Sequence, residues 1–569
     1  MLAMNPIKER KNTVELTENW LFSFDKNEWR EINVPYCPES KLSGVEHKDF
    51  IPVCYYKKKF TVERGENRVF LHFGAVDYRA TLYVNGKYVG EHIGGFTPFA
   101  FDVTDFLQAE ENELLLEVHD NERISRAYGK QSYKKESFGC FYTRVTGIWQ
   151  PVWIEYTPIN HIKEFYFYPD IDRCEVDVDL SVSGKGNYRI EVFYEDEKVG
   201  EGKGSIKYRE RITVALTEKH LWELGKGNLY DVKITYEEDE VSSYFGLRKV
   251  EYEGYKFKLN GKSVFQKLVL DQGYHPEGIY TMPSVESMQK DIDNGLRLGF
   301  NGARLHQKVF DPRFLYLCDK AGYMVWGEFP SWGIDYSNLD SVGQFLAEWQ
   351  ESLKRDFNHP SIVTWCPLNE VWADWNDSEK LPDIRFIDVV YDFTKRFDTT
   401  RPCVDVSGGF HGERTDLFDF HCYEPLENLK KYIAELEEKD RLEVPLLYAN
   451  ESSKRYEKGQ AVNVSEYGGI AFGNGAALKT EIETVNEGAV QSEEAWGYGK
   501  REATAEAFLE RYKAVTEAIF ACEKISGYCY TQLYDVEQEQ NGFYYYDRSE
   551  KLTEEQMEQI RLIQAQRQE

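Results

Sequence analysis

The stretch SVESMQKDIDNGLRLGFNGARLHQKVFDPRFLYLCDKAGYMVWGEFP, residues 284–330, contains the pattern that decides the fold of this chain. Residues 284–299 and 311–322 carry apolar side chains at three- and four-residue spacing, which predicts two amphipathic helices. Each is followed by a short apolar run, at 301–306 and 323–330, which predicts a buried strand. Helix and strand alternate here as they do around a parallel sheet.

The same alternation extends from Gly254 to near the end of the chain. Further helices are predicted at 346–358 and 506–524. The predicted strands are 267–273, 301–306, 323–330, 362–370, 403–407, 418–423, 462–468 and 527–534. Eight strands alternating with helices over about 300 residues predict a (β/α)8 TIM barrel, in which chemistry lies at the carboxyl ends of the strands.

Before Gly254 the apolar period is two rather than three or four. Short alternating runs fill residues 20–156, and Asn85-Gly86 predicts a tight hairpin turn, so a jelly-roll domain is expected. Residues 161–248 continue the alternation in about seven short runs, which predicts an immunoglobulin-like sandwich. The predicted domains are 1–158, 159–251 and 252–569.

Composition narrows the classes of function. The chain has 569 residues with 69 Lys+Arg against 98 Asp+Glu, and its net charge of −29 repels nucleic acid and anionic lipid. It contains no apolar run long enough to cross a membrane, and its first residues do not have the apolar segment of an export signal. A cytoplasmic protein is predicted. The ten cysteines form no C-x-x-C pair and are expected to be buried free thiols.

Two glutamates stand where a predicted barrel strand ends. Glu370 follows IVTWCPLN, and Glu466 follows AVNVS. Cleavage of an acetal needs one carboxyl group that protonates the departing oxygen and another that attacks the anomeric carbon, about 5–5.5 Å apart in retaining enzymes. The pair predicts a glycosidase. For each glutamate alone, the alternative is a turn cap or a solvated side chain.

Three motifs in one order strengthen this interpretation. TRVTGIWQPVWIE (143–155), PLNE (367–370) and SEYGG (465–469) resemble glycoside hydrolase family 2, which includes β-galactosidases, β-glucuronidases and β-mannosidases. The resemblance covers nearly the whole chain. It implies a jelly-roll sugar-binding domain, an immunoglobulin-like sandwich and a catalytic barrel, in the order already expected from the apolar periods.

The resemblance also implies roles for individual residues. Glu370, preceded by Asn369, corresponds to the acid/base, and Glu466 to the nucleophile. Arg304 corresponds to an arginine near the nucleophile, with an ion pair to Glu328 as the alternative. The predicted substrate-binding residues are Asn369, Asp271, Arg304, His306, Tyr423, His421, Trp372 and Gln532. A core histidine is the alternative for His306, and Tyr423 is expected to bond the nucleophile.

Several tryptophans surround the predicted site. Because sugar C–H faces pack on aromatic rings, three of them are predicted as stacking platforms, with core packing as the alternative: Trp326, Trp332 and Trp372. Glu370 is predicted to hold the proton, because it is expected to be the more desolvated carboxyl. The residues expected to desolvate it are Trp365, Trp372 and Trp375.

The predicted protein is a retaining, exo-acting hydrolase that removes a terminal β-linked sugar by double displacement. The Asn-x-Lys pair with which glucuronidases of the family hold a uronate is missing at 540–543, where only Asn541 remains. A neutral sugar is therefore favoured, and the resemblance implies galactose, because β-galactosidase is the commonest activity of the family. A β-uronidase, with a carboxylate clamp from Arg304, Lys308 or Arg414, and an arabinosidase are the alternatives.

Other classes of protein have weaker support. A non-catalytic carbohydrate-binding protein would not need both glutamates. A metal-dependent hydrolase would need clustered ligands, but no H-x-H strand ending occurs, and His411 is expected to be an ordinary loop residue. No metal and no cofactor are predicted, since no G-x-G-x-x-G turn is present. The predicted partner is a carbohydrate, and a homo-oligomer is left open.

Overall fold

A computed structural model describes residues 2–63, 65–120, 125–372, 380–472 and 495–569. Within these ranges the chain forms 27 strands and seven α-helices. The first strands are β1 (Thr13–Glu15), β2 (Trp20–Ser23), β3 (Arg30–Ile32), β4 (Val53–Thr61), β5 (Arg68–Phe73), β6 (Val76–Asp77), β7 (Arg79–Val84), β8 (Lys87–Ile93), β9 (Phe99–Asp102), β10 (Glu111–His119), β11 (Gly147–Ile148) and β12 (Val152–Thr157).

These strands form the predicted jelly-roll domain, mainly as two antiparallel sheets. One has the order β1-β12-β5-β9 and the other β3-β2-β4-β10-β7-β8. Their alternating apolar side chains meet in one core, which includes Trp20, Tyr56 and Leu116. The predicted hairpin is present between β7 and β8. Asn85 and Gly86 have φ of 51° and 75°, as a two-residue type I′ turn requires.

The second domain has fewer strands than predicted. Its strands are β13 (Ile162–Asp170), β14 (Glu175–Tyr194), β15 (Glu197–Ala215), β16 (Tyr230–Tyr236) and β17 (Asp239–Phe245). The expectation of seven short strands is wrong because β14 and β15 run on for 20 and 19 residues. The first half of β14 pairs with β13 and its second half with β16. A register shift between Ser181 and Lys185 lets the strand bend between the layers of the sandwich.

The remaining strands build a small antiparallel sheet and the barrel. They are β18 (Val250–Glu253), β19 (Lys256–Leu259), β20 (Lys262–Ser263), β21 (Gln266–Asp271), β22 (Gly302–Leu305), β23 (Met324–Glu328), β24 (Ile362–Cys366), β25 (Phe418–Cys422), β26 (Val462–Gly468) and β27 (Ile525–Thr531). The helices are α1 (Val285–Arg297), α2 (Pro312–Ala321), α3 (Ser341–Asp356), α4 (Ile384–Phe397), α5 (Leu426–Lys439), α6 (Ala505–Phe520) and α7 (Glu554–Gln564).

The barrel sheet is parallel and has the order β24-β23-β22-β21-β27-β26-β25. Local sequence also sets the helix starts. In α2, for example, the Asp311 side chain accepts a hydrogen bond from the Arg313 N–H at 2.8 Å, and Pro312 fills the first turn. The predicted TIM barrel is thus confirmed. Its seven regular strands place their carboxyl ends at one edge.

The predicted barrel strand at 403–407 is not a regular strand. It makes only single bridges, from Cys403 to Trp365 and from Ser407 to Asn369. The reason is that its other edge is bonded to side chains. The Cys403 N–H donates to Asp416 Oδ2 at 2.8 Å instead of extending a ladder toward β25. The segment nevertheless supports the residues that follow β24.

Two further predictions concern the whole chain. All ten cysteines are free, and eight of them are buried, as expected. No helix in the described ranges combines the length and the apolar composition needed to cross a membrane.

Candidate active site

The polar side chains of the site lie at the carboxyl-terminal edge of the barrel. Arg304 lies in β22, Glu328 ends β23, and Glu466 lies in β26. Asn369 and Glu370 follow β24 after two intervening residues. Because parallel strands end at the same edge of a barrel, residues far apart in the sequence meet here.

Glu466 is a buried carboxylate with strong partners. Its Oε1 accepts a hydrogen bond from Arg304 Nη1 at 3.1 Å, and its Oε2 accepts one from Tyr423 Oη at 2.5 Å. Burial acts to raise the pKa of this carboxyl, but the positive charges of His421 and Arg304 outweigh it and lower the pKa to about 2. Glu466 is therefore ionised and oriented, as an attacking carboxylate must be.

Arg304 is fully buried and connects the nucleophile candidate to two other groups. Its Nη2 donates to Glu328 Oε2 at 2.8 Å and to Asn369 Oδ1 at 2.9 Å. Both interpretations of Arg304, the ion pair and the contact with Glu466, are thus present together. His306 lies beside them, with Nδ1 2.9 Å from Glu328 Oε1 and Nε2 4.0 Å from Glu466 Oε1.

The backbone presents Glu370 in an unusual conformation. Its φ is 45°, a left-handed value that residues other than glycine rarely adopt. The Glu370 N–H donates to the Ser407 carbonyl at 2.8 Å, and the Asn369 carbonyl accepts from Trp332 Nε1 at 3.0 Å. These bonds hold a turn that costs roughly 1–3 kcal/mol, and such strain is concentrated at functional sites.

His421 lies between the two glutamates. Its Nδ1 is 2.8 Å from Glu370 Oε1 and 3.4 Å from Glu466 Oε2. One oxygen from each glutamate and a ring nitrogen of His421 all lie within 4.8 Å of one another. Burial acts to lower the pKa of His421, but Glu466 and Glu370 raise it overall, which favours an imidazolium between the carboxylates.

The predicted difference in burial between the two glutamates is wrong. The Glu370 side chain is 18% exposed, whereas that of Glu466 is 6% exposed. Trp365 is turned away from the site, since its Nε1 donates to Asp398 Oδ2 at 2.8 Å. Trp375 lies outside the described residues. What distinguishes the two carboxyls is charge, because the buried arginine contacts only Glu466.

Two predicted residues complete the surroundings of the pair. Tyr423 Oη lies 2.7 Å from Thr531 Oγ1 as well as contacting Glu466, and its ring stacks on that of Tyr498 at 3.5 Å. The Asn369 amide nitrogen is buried and has no acceptor in the part of the chain that the structure describes. An amide N–H without an acceptor can donate a hydrogen bond to a sugar hydroxyl.

Two other predicted residues lie in a neighbouring buried network. Asp271 accepts a hydrogen bond from Tyr534, and burial raises the pKa of this carboxyl to about 6. Gln532 accepts from Gln272 Nε2 at 2.9 Å and donates to Asn541 Oδ1 at 2.7 Å. Neither Asp271 nor Gln532 is bonded to the glutamate pair. Their contact with a sugar stays a prediction.

The predicted stacking platforms have different environments. Trp326 is fully buried in the barrel core, where its Nε1 donates to Gln266 Oε1 at 2.8 Å, so its prediction as a platform is wrong. Trp332 is also buried, and the Lys130 ammonium lies 4.2 Å from its ring centre. Trp372 is half-buried and stays a candidate.

His411 lies in a loop, as expected, but it is fully buried rather than an ordinary surface residue. Its Nδ1 is 2.9 Å from Asp405 Oδ1, and its Nε2 is 3.0 Å from the Asp419 carbonyl. Burial acts to lower the pKa of His411, but the two carboxylates outweigh it and raise the pKa to about 9. This charged cluster supports the segment that backs Glu370.

Sequence reasoning missed the contribution of the N-terminal domain. A loop between β10 and β11, residues 125–146, reaches the barrel and brings Lys130 and Tyr142 to the site. Tyr142 Oη donates to Glu539 Oε2 at 2.5 Å. The only signal in the sequence was the length of this segment, which is rich in aromatic and basic residues and shows no alternation.

Glu370, His421 and Glu466 also have the ligand types and spacing of a metal site, and they form the one such group found in the described ranges. His421 does not suit that role, because its Nδ1 is already bonded to Glu370. The raised pKa favours its protonated form, which cannot bind a metal. The cluster is better described as an acid–base group.

Models of one protein family match most of the chain. Residues 8–157 match the sugar binding domain of glycosyl hydrolases family 2, residues 160–248 match the central domain model of that family, and residues 250–513 match its TIM barrel domain. The chain therefore belongs to glycosyl hydrolase family 2.

Individual relatives are more distant. The chain is 26% identical over 416 residues to a beta-galactosidase of Thermoanaerobacter pseudethanolicus, covering 68% of this chain and 53% of that one. It is 27% identical to a beta-glucuronidase of Streptococcus agalactiae, covering 64% and 67%. The chain spans about half the length of several of the curated relatives it matches.

Solved structures extend the likeness of the fold to the whole chain. A beta-D-glucuronidase of Dictyoglomus thermophilum superimposes with a TM-score of 0.76 at 20% identity. The match covers 97% of this chain and 98% of that one. At this identity the match supports the three-domain fold and not a substrate.

Proposed function

We propose that this protein is a retaining, exo-acting β-glycosidase, with Glu466 as nucleophile and Glu370 as acid/base. The observation that carries the proposal is the glutamate pair: one oxygen of Glu370 and one of Glu466 lie within 4.8 Å of each other, and the two carboxyl groups have different electrostatic surroundings. Retaining enzymes have carboxyl groups about 5–5.5 Å apart, whereas inverting enzymes leave about 6.5–9.5 Å for a water molecule.

In the first step, Glu466 attacks the anomeric carbon while Glu370 gives its proton to the departing oxygen. The bond from the sugar to the aglycone breaks, and an ester to Glu466 forms. Arg304 and Tyr423 hold the two oxygens of Glu466, so little reorganisation is needed when the charge moves. The proton reaches Glu370 from the hydrogen bond that it shares with His421.

In the second step, water attacks the anomeric carbon, the ester bond breaks to release the Glu466 carboxylate, and Glu370 accepts the proton of the water, which restores the proton that it shares with His421. Forming the ester removes the negative charge of Glu466, which stabilised the imidazolium of His421. That change favours Glu370 as a base in this step. Two inversions at the same carbon give net retention, and the products are the free sugar and the aglycone.

The sugar is not decided by this chemistry. The relatives carry the names beta-galactosidase and beta-glucuronidase. Galactose, predicted from the sequence, and a uronate, its alternative, undergo the same two steps. Groups around the sugar ring distinguish them.

A panel of aryl β-glycosides tests the proposal: galactoside, glucuronide, galacturonide, glucoside, mannoside and α-L-arabinoside. We expect hydrolysis of at least one, with the β-anomer (the α-anomer for the arabinoside) as the first sugar detected by NMR. The opposite anomer would contradict retention. Sugar binding without hydrolysis of any member would indicate a non-catalytic carbohydrate-binding protein.

The predicted domain limits, 1–158, 159–251 and 252–569, are also proposals. The end of β12 at Thr157 and the gaps between the matched family ranges support them to within a few residues. The free cysteines support a reducing, cytoplasmic location. The net charge of −29 supports the proposal that the chain does not bind nucleic acid or anionic membranes.

A further inference from the structure

Lys130 is a buried cation at the edge of the proposed active site. It comes from the N-terminal domain and is 6% exposed. We propose that its ammonium group binds the carboxylate of a terminal uronic acid, so that the N-terminal domain selects the sugar on which Glu370 and Glu466 act. This inference rests on the proposed function, because it names the class of sugar for that site.

The ammonium group has no partner of opposite charge. Among the described residues, Lys130 Nζ donates no hydrogen bond, and no carboxylate oxygen lies within 4.0 Å of it. The ammonium nitrogen lies over the face of Trp332, 4.2 Å from the ring centre. A charged group that is largely removed from water is costly without a counter-charge, so a site that retains one usually binds an ion of opposite sign.

The negative groups of the site act on Lys130 without bonding it. Burial acts to lower the pKa of this lysine, but Cys140, Glu539, Glu466 and Glu370 raise it overall. The lysine is therefore charged at neutral pH. Glu466 and Glu370 are thus close enough for their charges to act on Lys130.

The loop holds Lys130 in place through its backbone. The preceding Gly129 has φ of 61°, and a Cβ there would overlap the carbonyl oxygen of Gln307. The Tyr128 N–H donates to the Trp332 carbonyl at 2.7 Å, and the Lys130 carbonyl accepts from the Tyr142 N–H at 2.8 Å. Glycine thus allows the two domains to approach closely enough for Lys130 to reach the barrel mouth.

The other end of the loop is bonded to the segment that follows β27. Tyr142 donates to Glu539, and Gln538 Nε2 donates to the Gly139 carbonyl at 2.7 Å. This is the segment in which the sequence lacks a lysine at 540–543. The structure places a lysine from another domain beside it.

The other cations considered from the sequence have partners already. Arg304 is bonded to Glu328, Glu466 and Asn369. Lys308 Nζ donates to the carbonyls of Gly273 and Tyr280. Arg414 is exposed on the surface and is paired with Asp392 at 2.6 Å. None of these three offers a charge to a ligand.

A uronate fits Lys130 better than a neutral sugar does. Three carboxyl groups, Glu370, Glu466 and Glu539, border the site, and they would repel a substrate carboxylate unless a cation compensates. Hydroxyl groups of a neutral sugar need no such cation. The alternative is that Lys130 only helps to keep Glu466 ionised, and then its loss would affect every sugar equally.

The test compares K130M with K135M, which removes the same charge from an exposed lysine of the same loop. Lys135 pairs with Asp49 and is 59% exposed. Values of kcat/KM are measured for 4-nitrophenyl β-glucuronide, β-galacturonide, β-glucoside and β-galactoside. We expect the wild type to prefer one uronide at least about tenfold. K130M should lose about 100-fold or more on that uronide and less than about threefold on the neutral glycosides, while K135M matches the wild type.

Equal losses on uronides and neutral glycosides would overturn the role of Lys130 in sugar selection. So would a wild type that hydrolyses only neutral glycosides, although the proposed function would stand. Calorimetry with free glucuronate, galacturonate, glucose and galactose gives an independent result. Binding of a uronate by the wild type but not by K130M, without hydrolysis of any glycoside, would support this inference and overturn the proposed function.

Discussion

The barrel and the loop of the N-terminal domain both contribute charged groups to the site, but the charges of the barrel are paired with one another and that of the loop is not. In the barrel, Arg304, Glu328 and Glu466 satisfy one another through bonds of 2.8–3.1 Å. In the loop, Lys130 has a comparable burial and, among the described residues, no bonded partner.

The difference corresponds to two tasks, the bond-breaking reaction and the choice of the sugar. A carboxylate that must attack every substrate in the same geometry needs partners that are present before the substrate arrives. A group that distinguishes substrates is more useful when its partner is the substrate itself. On this proposal, residues of the barrel carry out the reaction, and the loop selects the sugar that undergoes it. Three changes test this division, and a fourth tests the support beneath Glu370.

Replacing the nucleophile should have the largest effect. E466A removes the attacking carboxylate, and we expect kcat to fall by about 10⁴-fold or more on uronides and neutral glycosides alike. Stopped assays with each aryl glycoside measure this. E451A, at an exposed position outside the site, is the control. A loss confined to one class of sugar would contradict the assignment of Glu466 to the barrel chemistry.

Replacing the acid/base should have a smaller effect that depends on the leaving group. E370A removes the proton donor, so we expect about 10²–10³-fold lower kcat/KM for alkyl glycosides and little change for dinitrophenyl glycosides. Added azide should restore turnover and give a β-glycosyl azide, detectable by NMR. The same loss for both leaving groups, or an α-azide, would argue against Glu370 as acid/base.

Displacing the loop should change selection more than chemistry. In G129A the new Cβ overlaps the Gln307 carbonyl, so the loop must move and carry Lys130 with it. We expect the ratio of kcat/KM for the uronide to that for the neutral glycoside to fall about tenfold. G343A, in the exposed part of α3 where a Cβ meets no atom within 4 Å, is a matched control. An unchanged ratio would show that the position of the loop does not select the sugar.

The smallest expected effect is on stability and concerns the support beneath Glu370. The pKa of His411 is raised from 6.5 to about 9 in the folded state, so the folded protein binds this proton more tightly than the unfolded chain. A pKa shift of this size contributes about 3 kcal/mol to the free energy of unfolding. This contribution is complete below pH 6.5 and is lost as the pH rises through 9.

Melting temperatures measured from pH 6 to pH 10 test this expectation. The wild type should lose a few degrees more than H411N over that range, because the variant has no such proton to lose. H220N, at a half-buried histidine of the second domain, should behave as the wild type does. If the melting temperatures of the wild type and H411N fall in parallel with pH, protonated His411 does not stabilise the fold.

The sequence predicted the division into domains correctly but not the number of strands in the second domain. The period of apolar residues follows from backbone geometry, so the alternation before Gly254 and the helical spacing after it predicted the three domains. The same reasoning overcounted strands in the second domain. Two glycines between 183 and 187 resemble a turn in the sequence, yet β14 continues through them because β15 pairs along nearly its whole length.

Some residues of the site were predicted correctly from the sequence, and others were not. Glu370 and Glu466 were predicted from their place at strand ends, because the barrel brings every strand end to one edge. Arg304 and Tyr423 were predicted from the resemblance to glycoside hydrolase family 2. Trp326 was mistaken for a platform because alternation does not show which tryptophan faces the barrel core. The burial of Glu466 relative to Glu370 was also not predictable, since burial depends on the surrounding segments.

The sequence by itself determined the order of domains, the barrel and the pair of glutamates, since periodicity and strand-end position are local properties of the chain. The tertiary structure was needed to show that His421 lies between those glutamates, that Arg304 is bonded to both Glu328 and Glu466, and that Lys130 comes to the site from another domain. Electrostatic interactions depend on distance and burial in space. A loop some 240 residues before Glu370 in the chain can therefore set the charge of its pocket without leaving a motif in the sequence.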